Sequence, residues 1–234
     1  MTSPRIPLLL LPGLLCDGAL YQAQIAALGD IAAPIVGDLT RHDSIEDMAA
    51  AMLAEMPEYF SLVGLSMGGY VAQEIMRQAS HRVGRLALLD TSARADTDEQ
   101  HARRRGLIEL VGKGHFKGVT PQLLPQLISR DGLSDQTLVD AVIGMAERVG
   151  RDAFLRQQTA IMARPDGRAD LKRIACPTLV LCGRDDALTP PALHEEMAAM
   201  IQGAELVVAP ACGHLSTLER PDAVNEALRR WLGR

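Results

Sequence analysis

The pentapeptide Gly64-Leu65-Ser66-Met67-Gly68 sets one hydroxyl between two glycines. That pattern does chemistry on a tight strand-to-helix turn, where neighbouring side chains would collide and the hydroxyl stands out at the end of a sheet. The flanks have the required form. Residues 60–65 are a short apolar run of strand length, and after Gly68 the apolar residues Val71, Ile75 and Met76 recur at helical spacing. Such a turn also leaves the amide of Met67 at a helix N-terminus close to the hydroxyl. A plain glycine-rich turn whose serine only caps the helix uses the same five residues. The nucleophile reading therefore requires a base, an acid and an oxyanion site elsewhere in the chain.

A serine hydroxyl is a weak nucleophile until a base, normally a histidine oriented by a carboxylate, takes its proton. Of six histidines, His214 is placed for this, in the loop Pro210-Ala211-Cys212-Gly213-His214 after an apolar strand. His42 falls in a polar loop and His194 on a helix, while His81, His101 and His115 read as surface or lid residues. Asp185 and Asp186 both follow the strand that ends at Cys182-Gly183. One would be the orienting acid and the other a turn residue. Thr189-Pro190-Pro191 then opens a helix, with threonine as cap and proline in the first turn.

The elements that must position these groups alternate. Strands are expected at 6–11, 33–36, 60–65, 85–89, 178–181 and 206–208. Helices are expected at 21–28, 48–56 (opened by Ser44 with a later acid), 68–81, 190–201 and 221–232. Strand–helix alternation means an α/β fold, a mostly parallel sheet with helices on both faces. The rhythm breaks after the strand ending at Asp90. Residues 94–166 show only helical and polar stretches, at 98–111, 121–128, 134–148 and 152–162, and a helical insertion of this kind reads as a lid over the site. The expected organisation is a core from 1–93 and 167–234 with a lid at 94–166.

The 234 residues are 47% hydrophobic and 23% charged, an ordinary globular composition with length for a large core. A net charge of −5 disfavours nucleic acid or an anionic membrane as partner. Cys16, Cys176, Cys182 and Cys212 lack metal-ligand spacing and read as reduced thiols of a cytoplasmic protein. The apolar run after Arg5 is short, broken by Pro7 and Pro12, and has no export cleavage site. Gly112-Lys113-Gly114 lacks the spacing of a phosphate-binding loop, and no G-x-G-x-x-G follows the first strand, so no cofactor and no metal is expected.

Taken together, Leu10-Leu11-Pro12-Gly13-Leu14, the Ser66 pentapeptide with Gly69, the stretch 177–186 with Pro190, and Gly213-His214 with Glu219-Arg220-Pro221 resemble the α/β-hydrolase superfamily. The resemblance is to its small-ester hydrolases, enol-lactonases and cofactor-free haloperoxidases. It implies Ser66 as nucleophile, His214 as base and Asp186, rather than Asp185, as acid, with Asp90 a minor alternative. It also implies an oxyanion hole made by the amides of Leu14 and Met67. The expected activity is cleavage of a small carboxylic ester or lactone through an acyl-enzyme. Carbon–carbon bond hydrolysis or perhydrolysis with the same triad is the alternative, and a non-catalytic ligand-binding protein is the alternative of another class.

Two departures stand out. Pro12-Gly13 replaces the usual His-Gly, and the antiparallel edge hairpin common in the family is not evident. The second departure leaves a sheet edge open to homodimer formation. In the lid, Arg103-Arg104-Arg105 reads as a solvated face more than as a carboxylate receiver. Phe116, Met145, Phe154 and Met162 are candidates to line an acyl pocket, with core packing equally open.

Overall fold

The computed structural model describes residues 5–233; residues 1–4 and 234, the ends of the expected core segments, lie outside it. In chain order the elements are β1 (Ile6–Leu11), α1 (Gln22–Leu28), β2 (Ala32–Val36), α2 (Ile45–Glu55), β3 (Phe60–Leu65), α3 (Met67–Ala79) and β4 (Val83–Leu89). Four helices follow without a strand: α4 (Asp98–Gly112), α5 (Leu124–Leu127), α6 (Gln136–Ala163) and α7 (Arg168–Leu171). Alternation resumes with β5 (Thr178–Gly183), α8 (Pro191–Met200), β6 (Glu205–Ala209), α9 (Ser216–Glu219) and α10 (Pro221–Leu232).

The strands form one sheet in the order β2-β1-β3-β4-β5-β6, with every neighbouring pair parallel. Period-2 alternation sends Leu9, Leu11, Leu62, Leu86, Leu88 and Val180 to the face covered by α2, α3 and α8. Leu8, Leu10, Val63, Leu65, Leu89 and Leu181 go to the face covered by α1 and α10, where Trp231 is wholly buried. Burial on both faces is why these strands read as continuous apolar runs.

From β1 the chain first builds outward to β2, then crosses to β3 and continues the other way. The carboxyl ends of β1 and β3 therefore flank a topological switch point, where open parallel sheets form their crevice. Leu14 follows β1 and Ser66 follows β3. At the outer edge, β2 carries Pro34, which has no N–H to offer a further strand.

Several expected boundaries shift for local reasons. The second helix starts at Ile45 rather than 48, because Ser44 caps it by accepting the Asp47 N–H at 3.0 Å. The two helices expected at 134–148 and 152–162 are both there within α6, parted as expected, at Gly150, whose φ of 77° interrupts the helical backbone. The helix expected at 121–128 shrinks to the single turn of α5, which carries Pro125. The strand after α3 begins earlier than expected, at Val83.

Candidate active site

Ser66 occupies a left-handed backbone conformation, φ 54° and ψ −116°, between β3 and α3. Crowding explains the glycines around it: a Cβ on Gly64 would run into the Gly68 backbone, and one on Gly68 into the Leu11 carbonyl. Holding a non-glycine residue there costs on the order of 1–3 kcal/mol, which the packed strand and helix must offset. The Ser66 hydroxyl points at His214 and donates to its Nε2 at 2.8 Å.

His214 lies 3% exposed in the loop after β6. Its Nδ1–H donates to Asp186, 2.9 Å from Oδ2 and 3.0 Å from Oδ1, which leaves Nε2 as the acceptor. Asp186, in the loop after β5, is fixed by three further donors: the Leu188 and Thr189 amides to Oδ1 at 2.9 Å and the Thr189 hydroxyl to Oδ2 at 2.7 Å. The other candidate, Asp185, is an exposed turn residue whose amide donates to Cys212.

Electrostatics follow the geometry. Burial alone would lower the His214 pKa, but the Asp186 charge and its hydrogen bond, with Asp90 and Glu219 behind, hold it above the usual histidine value. Burial alone would raise Asp186, but the facing His214 and the Thr189 hydrogen bonds hold it below the usual carboxylate value.

Asp90, the minor alternative acid, turns away from the imidazole. Its Oδ1 accepts the Gly183 amide at 3.0 Å, and its Oδ2 accepts the Ser216 amide at 3.2 Å and meets the Ser216 hydroxyl at 2.5 Å. Burial, and then the charge of Asp186, pushes its carboxyl up to about 8. Asp90 thus ties the ends of β4 and β5 to the loop after His214.

The Gly13–Leu14 turn abuts the nucleophile: a Cβ built on Gly13 would sit 3.4 Å from the Ser66 Cβ. Leu14 lines the same cavity as Ser66 and His214, and Met67 is the first residue of α3, where amides have no intrahelical acceptor. The next residue, Leu15, has φ 59°, and its amide is held by the side-chain oxygen of Gln157 on α6 at 3.1 Å. Nothing in the sequence around Gln157 marks that role, because its partner lies 142 positions away.

The cavity over these groups encloses about 610 Å³. Phe116 and Phe154 line it with ring centroids 5.6 Å apart, whereas Met145 is packed into the core and Met162 is not among its lining residues. The solvated-face reading of the arginine run fails for Arg104, which turns inward to Asp96 and Gln158, while Arg105 stays exposed. Cys16 also lines the cavity, its thiol pushed by burial up to about 12. All four cysteines are free. Among the described residues, no helix is long and apolar enough to cross a membrane.

This fold has known counterparts. The model of the alpha/beta hydrolase family matches residues 8–227. The chain belongs to the alpha/beta hydrolase family of enzymes. It is 31% identical, over 73% of its own length, to a putative non-heme bromoperoxidase, BpoC, of Mycobacterium tuberculosis, and spans 66% of that relative, just under two thirds. It is 28% identical to a pimeloyl-[acyl-carrier protein] methyl ester esterase of Nitrosomonas europaea, covering 77% of this chain and 74% of the relative. Among solved structures, a thermophilic esterase from Thermogutta terrifontis superimposes with a TM-score of 0.91 at 31% identity, covering 99% of this chain and 91% of the other.

Proposed function

We propose that this protein is a serine hydrolase that cleaves a small carboxylic ester or lactone through an acyl-enzyme. The observation that carries the reading is the unbroken relay from Ser66 Oγ through the His214 imidazole to Asp186, with bonds of 2.8 and 2.9 Å. As Ser66 attacks the carbonyl, His214 Nε2 takes its proton and Asp186 stabilises the imidazolium that forms. The amides of Leu14 and Met67 receive the developing oxyanion, each such donor being worth on the order of 3 kcal/mol in rate. His214 then returns the proton to the leaving alcohol, and water, deprotonated by the same imidazole, releases the acid. The esterase relatives support this class of reaction.

Residues 94–166 serve as the lid, because α4, α5 and α6 supply much of the cavity wall above the sheet ends. The core is then 1–93 and 167–234. The free thiols fit the reducing cytoplasm, and the net charge of −5 fits a small-molecule substrate better than a nucleic acid. The β2 edge is the candidate face for a homodimer, although Pro34 offers no N–H to that contact. Resemblance to the bromoperoxidase favours a second reading, perhydrolysis, in which hydrogen peroxide replaces water on the acyl-enzyme and leaves a peroxyacid.

The test is labelling with a fluorophosphonate probe followed by peptide mapping. The expected result is modification at Ser66, abolished by His214→Ala, and no ester turnover by Ser66→Ala. Unchanged turnover by Ser66→Ala would sink the proposal. Peroxyacid formation measured in peroxide against hydrolysis in water separates the two readings.

A further inference from the structure

One wall of the cavity carries charges that this mechanism does not use. Asp96, just before α4, lies between two arginines: Arg104 Nε donates to its Oδ2 at 2.7 Å, and Arg164 Nη1 stands 2.7 Å from its Oδ1. The side chains are 1% exposed for Asp96, 6% for Arg164 and 20% for Arg104, so two cations share one anion away from bulk water. All three line the cavity that holds Ser66 and His214. Asp96 is the only carboxylate among the described lining residues, and Arg103 and Lys117 add positive charge from exposed positions. Arg94, a further lining cation, is neutralised by Glu196 at 2.8 and 2.9 Å.

The two inner arginines are not equivalent. Arg164 is spent on structure: it donates to the carbonyls of Arg94 and Ile161 and stacks on Tyr70, its guanidinium carbon 4.1 Å from the ring centroid. Arg104 commits Nε to Asp96 and Nη1 to Gln158 Oε1 at 2.7 Å, and its Nη2 has no hydrogen-bond partner among the described residues. The cluster therefore keeps a net charge of one, in a setting where an unpaired charge is costly. Only the cavity is open to supply the balancing anion.

We propose that the substrate carries a single carboxylate remote from the bond that is cleaved, and that Arg104 receives it. The lining of the same cavity also includes Leu107, Phe116, Val142, Phe154 and Leu215, apolar surface that suits an aliphatic spacer. The class is thus the half-ester of a dicarboxylic acid, or a lactone bearing a carboxylate. One negative charge neutralises the cluster, and the planar guanidinium matches the planar carboxylate. A phosphate monoester, near −2, would leave the site negative.

The proposal rests on the hydrolase reading, so its test uses binding. Ser66→Ala protein is titrated calorimetrically with monomethyl adipate and with neutral dimethyl adipate. The half-ester should bind at least about ten-fold tighter, the scale of one hydrogen-bonded charge pair. Arg104→Gln in the same background should erase that advantage, so that the half-ester binds no more tightly than dimethyl adipate, while Asp96 keeps its ion pair with Arg164. Should Arg104→Gln not fold, Arg104→Lys keeps the charge without the fork, and the advantage should fall at least about three-fold. Equal affinities for the two esters, or an advantage that survives at Arg104→Gln, would overturn the proposal. So would tighter binding of a phosphonate analogue than of the carboxylate. Fluorophosphonate labelling of the unmodified protein reports separately on the hydrolase reading: labelled Ser66 without carboxylate preference defeats this inference alone, and preference without labelling defeats only the hydrolase.

Discussion

Gln157 reaches from α6 to the backbone of Leu15, its side-chain oxygen accepting that amide at 3.1 Å while its own amide donates to the Leu39 carbonyl at 3.1 Å. The glutamine is 1% exposed, and it pins the residue that follows Leu14 in its left-handed conformation. One helix of the inserted segment thereby helps set the direction of an amide proposed to hold the oxyanion. Gln157→Leu should lower kcat by about ten-fold or more with little change in KM, because the lost contact matters most where charge develops. Gln157→Glu keeps the acceptor and should recover part of kcat. Steady-state kinetics with a neutral aryl ester checks both.

The strain at Ser66 predicts a stability effect opposite in sign to the activity effect. At φ 54° and ψ −116°, glycine is relaxed where any side chain is not. Ser66→Gly should be inactive yet melt above Ser66→Ala by about 2–4 °C, corresponding to ~1 kcal/mol in a chain of this size. Equal melting temperatures in calorimetry would mean the turn is unstrained.

The pH profile follows from His214. Only its neutral form accepts the serine proton, and its pKa lies above the usual 6.5 because Asp186 overrides the effect of burial. Activity should therefore rise with pH through a midpoint above 6.5. Asp186→Asn should move that midpoint down and reduce kcat by several orders of magnitude, about 10⁴ in comparable triads. If Asp90 were the orienting acid, Asp90→Asn would do the same. We expect instead that it keeps kcat within about three-fold, since the Asp90 carboxyl is hydrogen-bonded to Gly183 and Ser216 and not to the imidazole.

Asp90 also has a stability signature. Its folded pKa of about 8 lies above its ordinary 3.8, so its contribution is fully present below 3.8 and is lost as pH rises towards 8. Asp90→Asn should flatten that decline in denaturation midpoints between pH 5 and 8. Asp90→Leu should instead destabilise at all pH values, by about 2–3 kcal/mol, because the Gly183 and Ser216 amides lose their acceptor.

His194 opposes this at the acid end. Buried and neutral, it accepts the Thr91 amide at 2.9 Å, and burial lowers its pKa to about 4. The unfolded chain binds that proton first, so stability should fall from pH 6.5 to 4 by about 3 kcal/mol. Raised His214 has the opposite sign: its contribution is present below 6.5 and lost as pH rises through its folded pKa. His194→Gln, whose side-chain oxygen can still accept from Thr91, should remove the acid-side decline in urea titrations.

The parallel sheet was legible in the sequence because strands buried on both faces must be largely apolar, as residues 6–11 are and residues 60–65 are apart from Ser61. Ser66 was legible because the crowding that demands Gly64 and Gly68 acts within a few residues. His214 and Asp186 stand at strand ends that the apolar runs mark out, and family spacing chose between Asp185 and Asp186. What only the tertiary structure decided is every relation carried by long-range packing. Gln157 reaches the Leu14–Leu15 turn, Glu219 ties the Gly213 amide to that of Ser129, and Arg104 shares Asp96 with Arg164. Each is closed by a distant partner, 142 positions from Gln157 and 90 from Glu219, and a polar residue on a helix looks the same in sequence whether it faces water or such a partner. The arginine run shows this best. Helical rotation directs Arg105 outward and Arg104 into the cavity, and that angle depends on how α4 packs on α6.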